Sequence, residues 1–244
     1  MVPHDVSCCG WDDGDVTTEH PHSVRTFKRR AGRVTSTQED ALSRLGSRFG
    51  LDADGSVLDL YAVFGRSAPV VLEVGFGMGE ATAAMAAAQP ALDVLAADVH
   101  TPGHGNLLKL LEAAELTNVR LVKGDARVLL AAMLPAASLS AVRVFFPDPW
   151  PKARHVKRRL VSRDFADLVA AALVEGGTLH VSTDIEAYAV QARQVVDAHP
   201  ALQVSDEIPW RARTKFEQRG LDAGRPAYEI AAVRLARASI ASKR

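Results

Sequence analysis

From residue 70 to residue 200, short apolar runs alternate with stretches whose apolar residues recur at helical spacing. VVLEVG (70–75), LDVLAADV (92–99), NVRLVKGDA (118–126), LSAVRVFFPD (139–148) and TLHVST (178–183) hold strands rich in valine and leucine. EATAAMAAAQ (80–89), GNLLKLLEAAEL (105–116), ARVLLAAML (126–134), RDFADLVAAALVEGG (163–177) and EAYAVQARQVVDAHP (186–200) read as helices, the fourth closed by its glycine pair. Near-continuous apolar strands separated by helices predict βαβ units, hence an α/β fold with a mostly parallel sheet covered on both faces. Right-handed crossovers then bring the C-terminal end of every strand to one edge, where open α/β sheets bind ligands. Upstream, TSTQEDALSRLGSRFG offers Ser36 or Thr37 as a cap and predicts a helix ending near Gly46. Near the C-terminus, Tyr228 to Leu235 has the apolar character of a final strand.

Composition narrows the class. Apolar residues make up 48 % of 244, enough for a substantial core. No uncharged apolar run reaches the ~18 residues of a membrane span, and the first residues lack the basic start and apolar core of a secretory signal. The two cysteines are neighbours, Cys8 and Cys9, a geometry that strains a disulfide, so a reducing, cytoplasmic setting is expected. Cys8, Cys9, His20 and His22 fit no common zinc spacing, and no metal is expected.

Formal net charge is zero, with 29 basic and 29 acidic residues, but their distribution is uneven. Residues 1–24 carry Asp5, Asp12, Asp13, Asp15 and Glu19 with no Lys or Arg, and read as a disordered tail. RTFKRRAGR (25–33) then brings five cations, and PKARHVKRR (151–159) supplies a second basic cluster. Such clusters are either anion-binding patches or solvated faces.

The strand ends carry the candidate chemistry. Glu73, Asp98, Asp125 and Asp148 follow successive strands at intervals of 25, 27 and 23 residues, one βα unit each. Any one of them could cap the next helix. Four in phase predict a carboxylate rim along one sheet edge. After the first strand, Gly75, Gly77 and Gly79 form a G-x-G-x-G turn, which permits tight bending and close backbone approach to a ligand. Its spacing differs from the G-x-G-x-x-G of dinucleotide folds.

With Glu73 before it and Asp98 after it, this turn resembles the first motif of class I S-adenosylmethionine-dependent methyltransferases. The resemblance implies a Rossmann-like, seven-stranded, mostly parallel sheet with an antiparallel edge strand. It also implies a glycine turn at the methionine moiety, Asp98 on the ribose diol and Asp125 near the adenine. A carboxylate can accept both diol hydrogens, and a carboxylate rim suits a sulfonium and would repel a pyrophosphate.

FFPDPWPKARHVKRR (145–159) closely resembles the signature of the tRNA (guanine-N7-)-methyltransferase family. RTFKRRAGRVT (25–35), VLEVGFGMG (71–79), DVHTPGHGNLL (98–108), STDIEAY (182–188) and TKFEQRG (214–220) agree with it in order. The resemblance implies methyl transfer from S-adenosylmethionine, leaving S-adenosylhomocysteine, to N7 of a variable-loop guanine in tRNA. It implies Asp148 as the active-site residue, with Glu73, Gly75, Gly77, Gly79, Asp98, Asp125 and Asp148 at the cofactor. It places Lys152, Asp184, Thr214, Lys215, Phe216 and Glu217 at the substrate, and Arg154, His155, Val156, Lys157, Arg158 and Arg159 on the RNA. Phe146 is expected in the core; Trp150 could stack on a base or be core. The family usually has Glu where Asp98 stands.

The division expected is an acidic tail (1–24), a basic arm with a helix (25–66), a methyltransferase domain (67–236) and a C-terminal tail (237–244). The expected partner is tRNA, with no membrane and no obligatory protein partner, in a monomer or homodimer. Other readings are a methyltransferase acting on a small molecule or protein, an RNA-binding protein with a degenerate fold, and an NAD oxidoreductase. Two basic clusters, the four acids with TKFE, and the glycine spacing argue against each in turn.

Overall fold

The structure, a computed structural model, describes residues 25–28 and 32–236. Eight strands form one sheet: β1 (Gly50–Leu51), β2 (Val70–Val74), β3 (Asp93–Asp98), β4 (Val119–Lys123), β5 (Leu139–Phe145), β6 (Leu173–Thr183), β7 (Leu202–Ser205) and β8 (Tyr228–Arg234). Their order is β1-β4-β3-β2-β5-β6-β8-β7. All pairs among β1 to β6 are parallel, and β8 runs antiparallel to both β6 and β7. The chain steps outward from β2 through β3 to β4, then returns to start β5 on the other side of β2. That reversal opens a crevice at the β2/β5 boundary, and Glu73 of β2 stands in register with Arg143 of β5 across it.

Eight helices cover the sheet: α1 (Ser36–Phe49), α2 (Leu60–Phe64), α3 (Glu80–Ala88), α4 (Thr101–Ala113), α5 (Ala126–Val128, continued by a π turn at Leu129–Met133), α6 (Arg163–Ala172), α7 (Glu186–Asp197) and α8 (Lys215–Asp222). Alternation along the strands feeds two cores. Val94, Ala96, Val119 and Leu121 meet Phe49, Leu107 and Leu111 of α1 and α4. Leu95, Ala97, Val122, Val142 and Val144 share the other core with Met133, Phe165 and Tyr188, on the side of α5 to α7. Fully burying a leucine- or phenylalanine-sized side chain contributes about 1.5–3 kcal/mol, so this double-sided packing is what holds the strand ends in register.

Several boundaries differ from the sequence pattern. α1 runs through Gly46 to Phe49, whose ring is buried. α4 begins at Thr101, with His100 in the extended N-cap position and Pro102 suited to a first turn. The helix expected over 163–177 stops at Ala172, and β6 starts at Leu173. Leu139 pairs with Leu173 but Ala141 pairs with Thr178, so Val174–Gly177 bulge out of the ladder, with Gly176 at φ 77°. The final strand is antiparallel as expected but lies one place in from the edge, because β7 adds outside it. β1, α2 and β7 have two, five and four residues, too few for a period to show. Among the described residues, no helix is long and apolar enough to cross a membrane, and no group of three or more His, Cys, Asp or Glu could hold a metal ion. Cys8, Cys9, His20, His22 and both tails lie outside the described residues.

Candidate active site at the sheet edge

The glycine turn leaves β2 with Gly75, Gly77 and Gly79 at φ 77°, 62° and 81°, the left-handed region that side chains other than glycine's rarely adopt. The turn lies directly on α4. A Cβ on Gly103 would stand 1.9 Å from the Gly77 carbonyl oxygen, so glycine at 103 is what permits the approach. Asn106 Nδ2 donates to the Met78 carbonyl at 2.7 Å and fastens the loop to the same helix. The Gly77 N–H donates to Asp98 Oδ2 at 2.8 Å, and the His100 N–H to Oδ1 at 2.9 Å. The carboxylate is thereby aimed by backbone from two elements, and each oxygen keeps a further lone pair for a diol. Asp125 has the capping role as well: its Oδ1 accepts from the Arg127 N–H at 2.9 Å and starts α5.

Glu73 is 3 % exposed, and its Oε2 has no hydrogen-bond partner among the described residues. Burial pushes this carboxyl up to about 7, against the pull of the Arg143 guanidinium beside it. Arg143 is itself buried; its Nη2 donates to Gln89 Oε1 at 2.8 Å and its Nη1 lies 3.6 Å from Met85 Sδ. A buried acid with an unsatisfied oxygen at the crevice suits the ammonium or sulfonium of a ligand. Together with the left-handed glycine turn and the doubly held Asp98, it fits S-adenosylmethionine.

Asp148 sits in a turn bracketed by two aromatic residues in the left-handed region, Phe146 at φ 51° and Trp150 at φ 43°. Bulky side chains there cost of order 1–3 kcal/mol and persist only where surroundings over-determine them. The Phe146 N–H donates to the Ser182 carbonyl at 2.8 Å. Trp150 is core: it is 7 % exposed, and Nε1 donates to the Thr26 carbonyl at 2.8 Å. Its ring carries Lys28 Nζ at 5.3 Å and the Arg158 guanidinium at 5.0 Å, so it is not presented to a base. Phe146 is only partly buried, against Phe216 and Arg211. The Lys28 N–H donates to Asp148 Oδ2 at 2.7 Å, so residues 25–28 lie along this turn.

The basic run continues as a 3₁₀ turn, Ala153–Arg158. Lys152, Arg154 and Lys157 are exposed, and His155, Val156 and Arg158 partly so. Desolvation and then the cations Arg158, Arg154, Lys152 and Lys28 hold the His155 imidazole below its ordinary range. Arg159 does not face outward as its place in the run suggested. It is buried, donates to the Pro149 and Ala187 carbonyls at 3.0 and 3.2 Å and to Gln191 Oε1 at 2.6 Å, and covers the Tyr188 ring at 4.9 Å. It ties the Asp148 turn to α7.

TKFE opens α8 as a capping box: Thr214 Oγ1 accepts from the Glu217 N–H at 3.0 Å, and Glu217 Oε2 from the Thr214 N–H at 3.3 Å. Glu217 is buried and its carboxylate is gripped by Arg211. Lys215 Nζ donates to Glu80 Oε1 at 2.8 Å, which ties α8 to the residue after Gly79. Phe216 is 50 % exposed, with its ring 5.4 Å from that of Phe146. Asp184 accepts from Arg225 Nε at 3.0 Å. The α8 residues thus stand between the glycine turn and the Asp148 turn. The sequence pattern did not single out Arg211, Arg143, His180 or Glu229: the partners of Arg143, His180 and Glu229 are distant in the chain, and nothing local marks the burial of Arg211 beside Glu217.

A family model described as a putative methyltransferase matches residues 67–230. A protein of Streptomyces avermitilis named tRNA (guanine-N(7)-)-methyltransferase is 51 % identical over 82 % of this chain and 72 % of its own length. One of the same name from Nitrosospira multiformis is 48 % identical over 87 % of this chain and 96 % of its own. Among solved structures, the aminoglycoside resistance methyltransferase NpmB1 superposes with a TM-score of 0.53 at 17 % identity, over 72 % of this chain and 92 % of that one. The 16S rRNA (adenine(1408)-N(1))-methyltransferase of Catenulisporales acidiphilia gives 0.52 at 19 %, over 73 % and 93 %; at such identities the likeness concerns the fold. Sequence identity near one half over more than four fifths of this chain, on a sheet with the glycine turn and strand-end acids described above, decides the relationship: the chain belongs to the tRNA (guanine-N(7)-)-methyltransferase family.

Proposed function

We propose that this chain methylates N7 of a guanine in tRNA, in the variable loop, with S-adenosylmethionine as donor. The observation that carries the reading is the position of Asp148, on the sheet edge shared with Glu73 and Asp98 and next to the exposed cations Lys152, Arg154 and Lys157. When bound, S-adenosylmethionine supplies an electrophilic methyl group on a sulfonium. Asp98 would accept the ribose hydroxyls, Glu73 would meet the positive charge, the Gly75–Gly79 turn would let the backbone come close, and Asp125 would serve the adenine.

Guanine N7 has an in-plane lone pair and no proton, so the reaction needs alignment more than a base. The N7 lone pair forms the new C–N bond while the S–C bond breaks, and the positive charge moves from sulfur to the purine. Asp148 accepts N–H hydrogen bonds from the guanine edge and favours the purine cation that develops. For that, the Lys28 N–H gives up Asp148 Oδ2, or shares it. Lys152, Arg154, Lys157 and Arg158 neutralise phosphates, with His155 and Val156 between them, and Asp184, Thr214, Lys215 and Phe216 line the approach of the base. Glu217 acts by holding that helix start. The proposal extends to a cytoplasmic protein that acts without an obligatory protein partner, as a monomer or homodimer.

Labelled S-adenosylmethionine and an unmodified tRNA transcript test the reading, with chemical cleavage at 7-methylguanosine as readout. Label and cleavage at the variable-loop guanine are expected. Absence of label, or label that persists when that guanine is replaced, overturns it.

A further inference from the structure

One guanidinium joins four chain segments at the rim of the sheet. Arg211 lies between β7 and α8, with its side chain 8 % exposed. Nη1 and Nη2 donate to Glu217 Oε2 and Oε1 at 2.6 and 2.8 Å, a two-pronged grip on the start of α8. Nε donates to Glu229 Oε1, near the start of β8, at 3.1 Å, and Nη2 reaches the same oxygen. Nη2 also donates to Ser182 Oγ, at the end of β6, at 3.1 Å. The guanidinium carbon lies 5.2 Å from the centre of the Phe145 ring and 5.6 Å from that of Phe146, at the end of β5.

Behind it, Glu229 is held from the other side: His180 Nε2 lies 2.8 Å from Oε2, and Ser182 Oγ donates to Oε1 at 3.1 Å. Burial alone would raise the Glu229 carboxyl, but the hydrogen bonds from His180 and Arg211 outweigh it and hold it at about 2. Two carboxylates therefore converge on one cation, from a helix and the strand that follows it. The geometry requires a planar fork. A lysine ammonium is a single point of charge and cannot grip Glu217 with two parallel bonds while reaching Glu229 and Ser182.

We infer that Arg211 is a positioning residue for methyl transfer: it sets the separation between the Asp148 turn and the TKFE helix. The inference rests on the function proposed above for those two segments. Phe146 begins the left-handed turn that carries Asp148 two residues later, and the ring of Phe216 packs on it. Arg211 holds Phe146 from one side and the cap of Phe216's helix from the other. Loosening it leaves both segments attached to the protein but free to shift against each other.

The experiment compares Arg211→Lys, which keeps the charge and loses the fork, with Arg211→Met. It measures saturated turnover on tRNA, the Kd for S-adenosylmethionine, and amide hydrogen exchange. For Arg211→Lys we expect turnover to fall about 100-fold, the loss that ångström-scale misplacement produces. We expect an unchanged cofactor Kd, and faster exchange confined to residues 145–150 and 214–218. Turnover equal to wild type overturns the inference. So does loss that spreads to cofactor binding and to exchange across the whole sheet, which marks a merely structural residue. Arg211→Met leaves two facing carboxylates unneutralised, and unfolding of that variant alone leaves the lysine comparison decisive. If wild type itself fails to methylate guanine N7, the functional reading fails, while the confined exchange pattern still decides whether Arg211 sets the separation.

Discussion

Two carboxylates face the β2/β5 crevice and are held in opposite ways. Glu73 belongs to a strand, is enclosed by the sheet and has one oxygen without a partner. Asp148 belongs to a turn, and the turn is held by contacts from distant segments: Ser182 on Phe146, Thr26 on Trp150, the Lys28 N–H on Asp148 itself, and Arg159 spanning to α7. The half proposed for the cofactor is built by register and burial, which follow from strand periodicity. The half proposed for the substrate is built by clamps between residues as much as 124 positions apart. Burial makes the charge on Glu73 expensive and responsive to pH, whereas Asp148 is oriented by a backbone N–H.

The comparison breaks first at Asp148. Asp148→Asn should lower saturated turnover about 10²–10³-fold, the usual cost of losing one preorganised electrostatic partner, with the Kd for S-adenosylmethionine nearly unchanged. A variant that loses cofactor binding at full saturated rate would move Asp148 to the other half of the site. Glu73→Gln should act the other way, weakening cofactor binding and abolishing its pH dependence. In wild type, affinity should rise as pH climbs through about 7, where the buried carboxyl loses its proton. The folded-state pKa of Glu73 is raised, so its stability contribution is present below the unfolded value of about 4.5 and is lost as pH rises through about 7. Glu73→Gln should therefore melt higher than wild type above neutrality, by on the order of 2–3 kcal/mol at the limit. Thermal unfolding of both proteins from pH 5 to pH 9 checks the crossing.

The basic run itself divides. Replacing Lys152, Arg154 and Lys157 by Ala should reduce the slope of log Kd for tRNA against log salt by about 2–3, with folding intact. Arg159→Ala should leave that slope alone and destabilise the protein by roughly 2–3 kcal/mol, since it strands buried acceptors. Equal salt effects from the two would mean that Arg159 reaches RNA after all. The smallest expected effect is Trp150→Phe, which keeps the ring and removes the bond to Thr26. It should cost about 0.5–1.5 kcal/mol, seen as faster amide exchange in residues 25–28 with little change elsewhere.

The alternation of valine-rich runs with helical spacing was enough to predict the parallel sheet, and the phase of Glu73, Asp98, Asp125 and Asp148 was enough to put them on one edge. Both are local patterns repeated along the chain, and parallel crossovers leave them few ways to assemble. The glycine turn was legible too, because three left-handed residues within five positions favour glycine at each. What the tertiary structure decided was the fate of each charge and ring. Arg158 and Arg159 are neighbours in a run of cations, yet one covers Trp150 and the other is sealed between Pro149, Ala187, Gln191 and Tyr188. Trp150 fits a stacking platform or a core equally well until Thr26 is seen to accept its N–H. Arg211 stands six residues before its partner Glu217 in WRARTKFE, but the string does not mark the pair, because Ser182 and Glu229, which complete the cluster, reach it only through the sheet. Periodicity is written residue by residue; whether a polar side chain meets solvent or a partner depends on chain segments that only folding brings together.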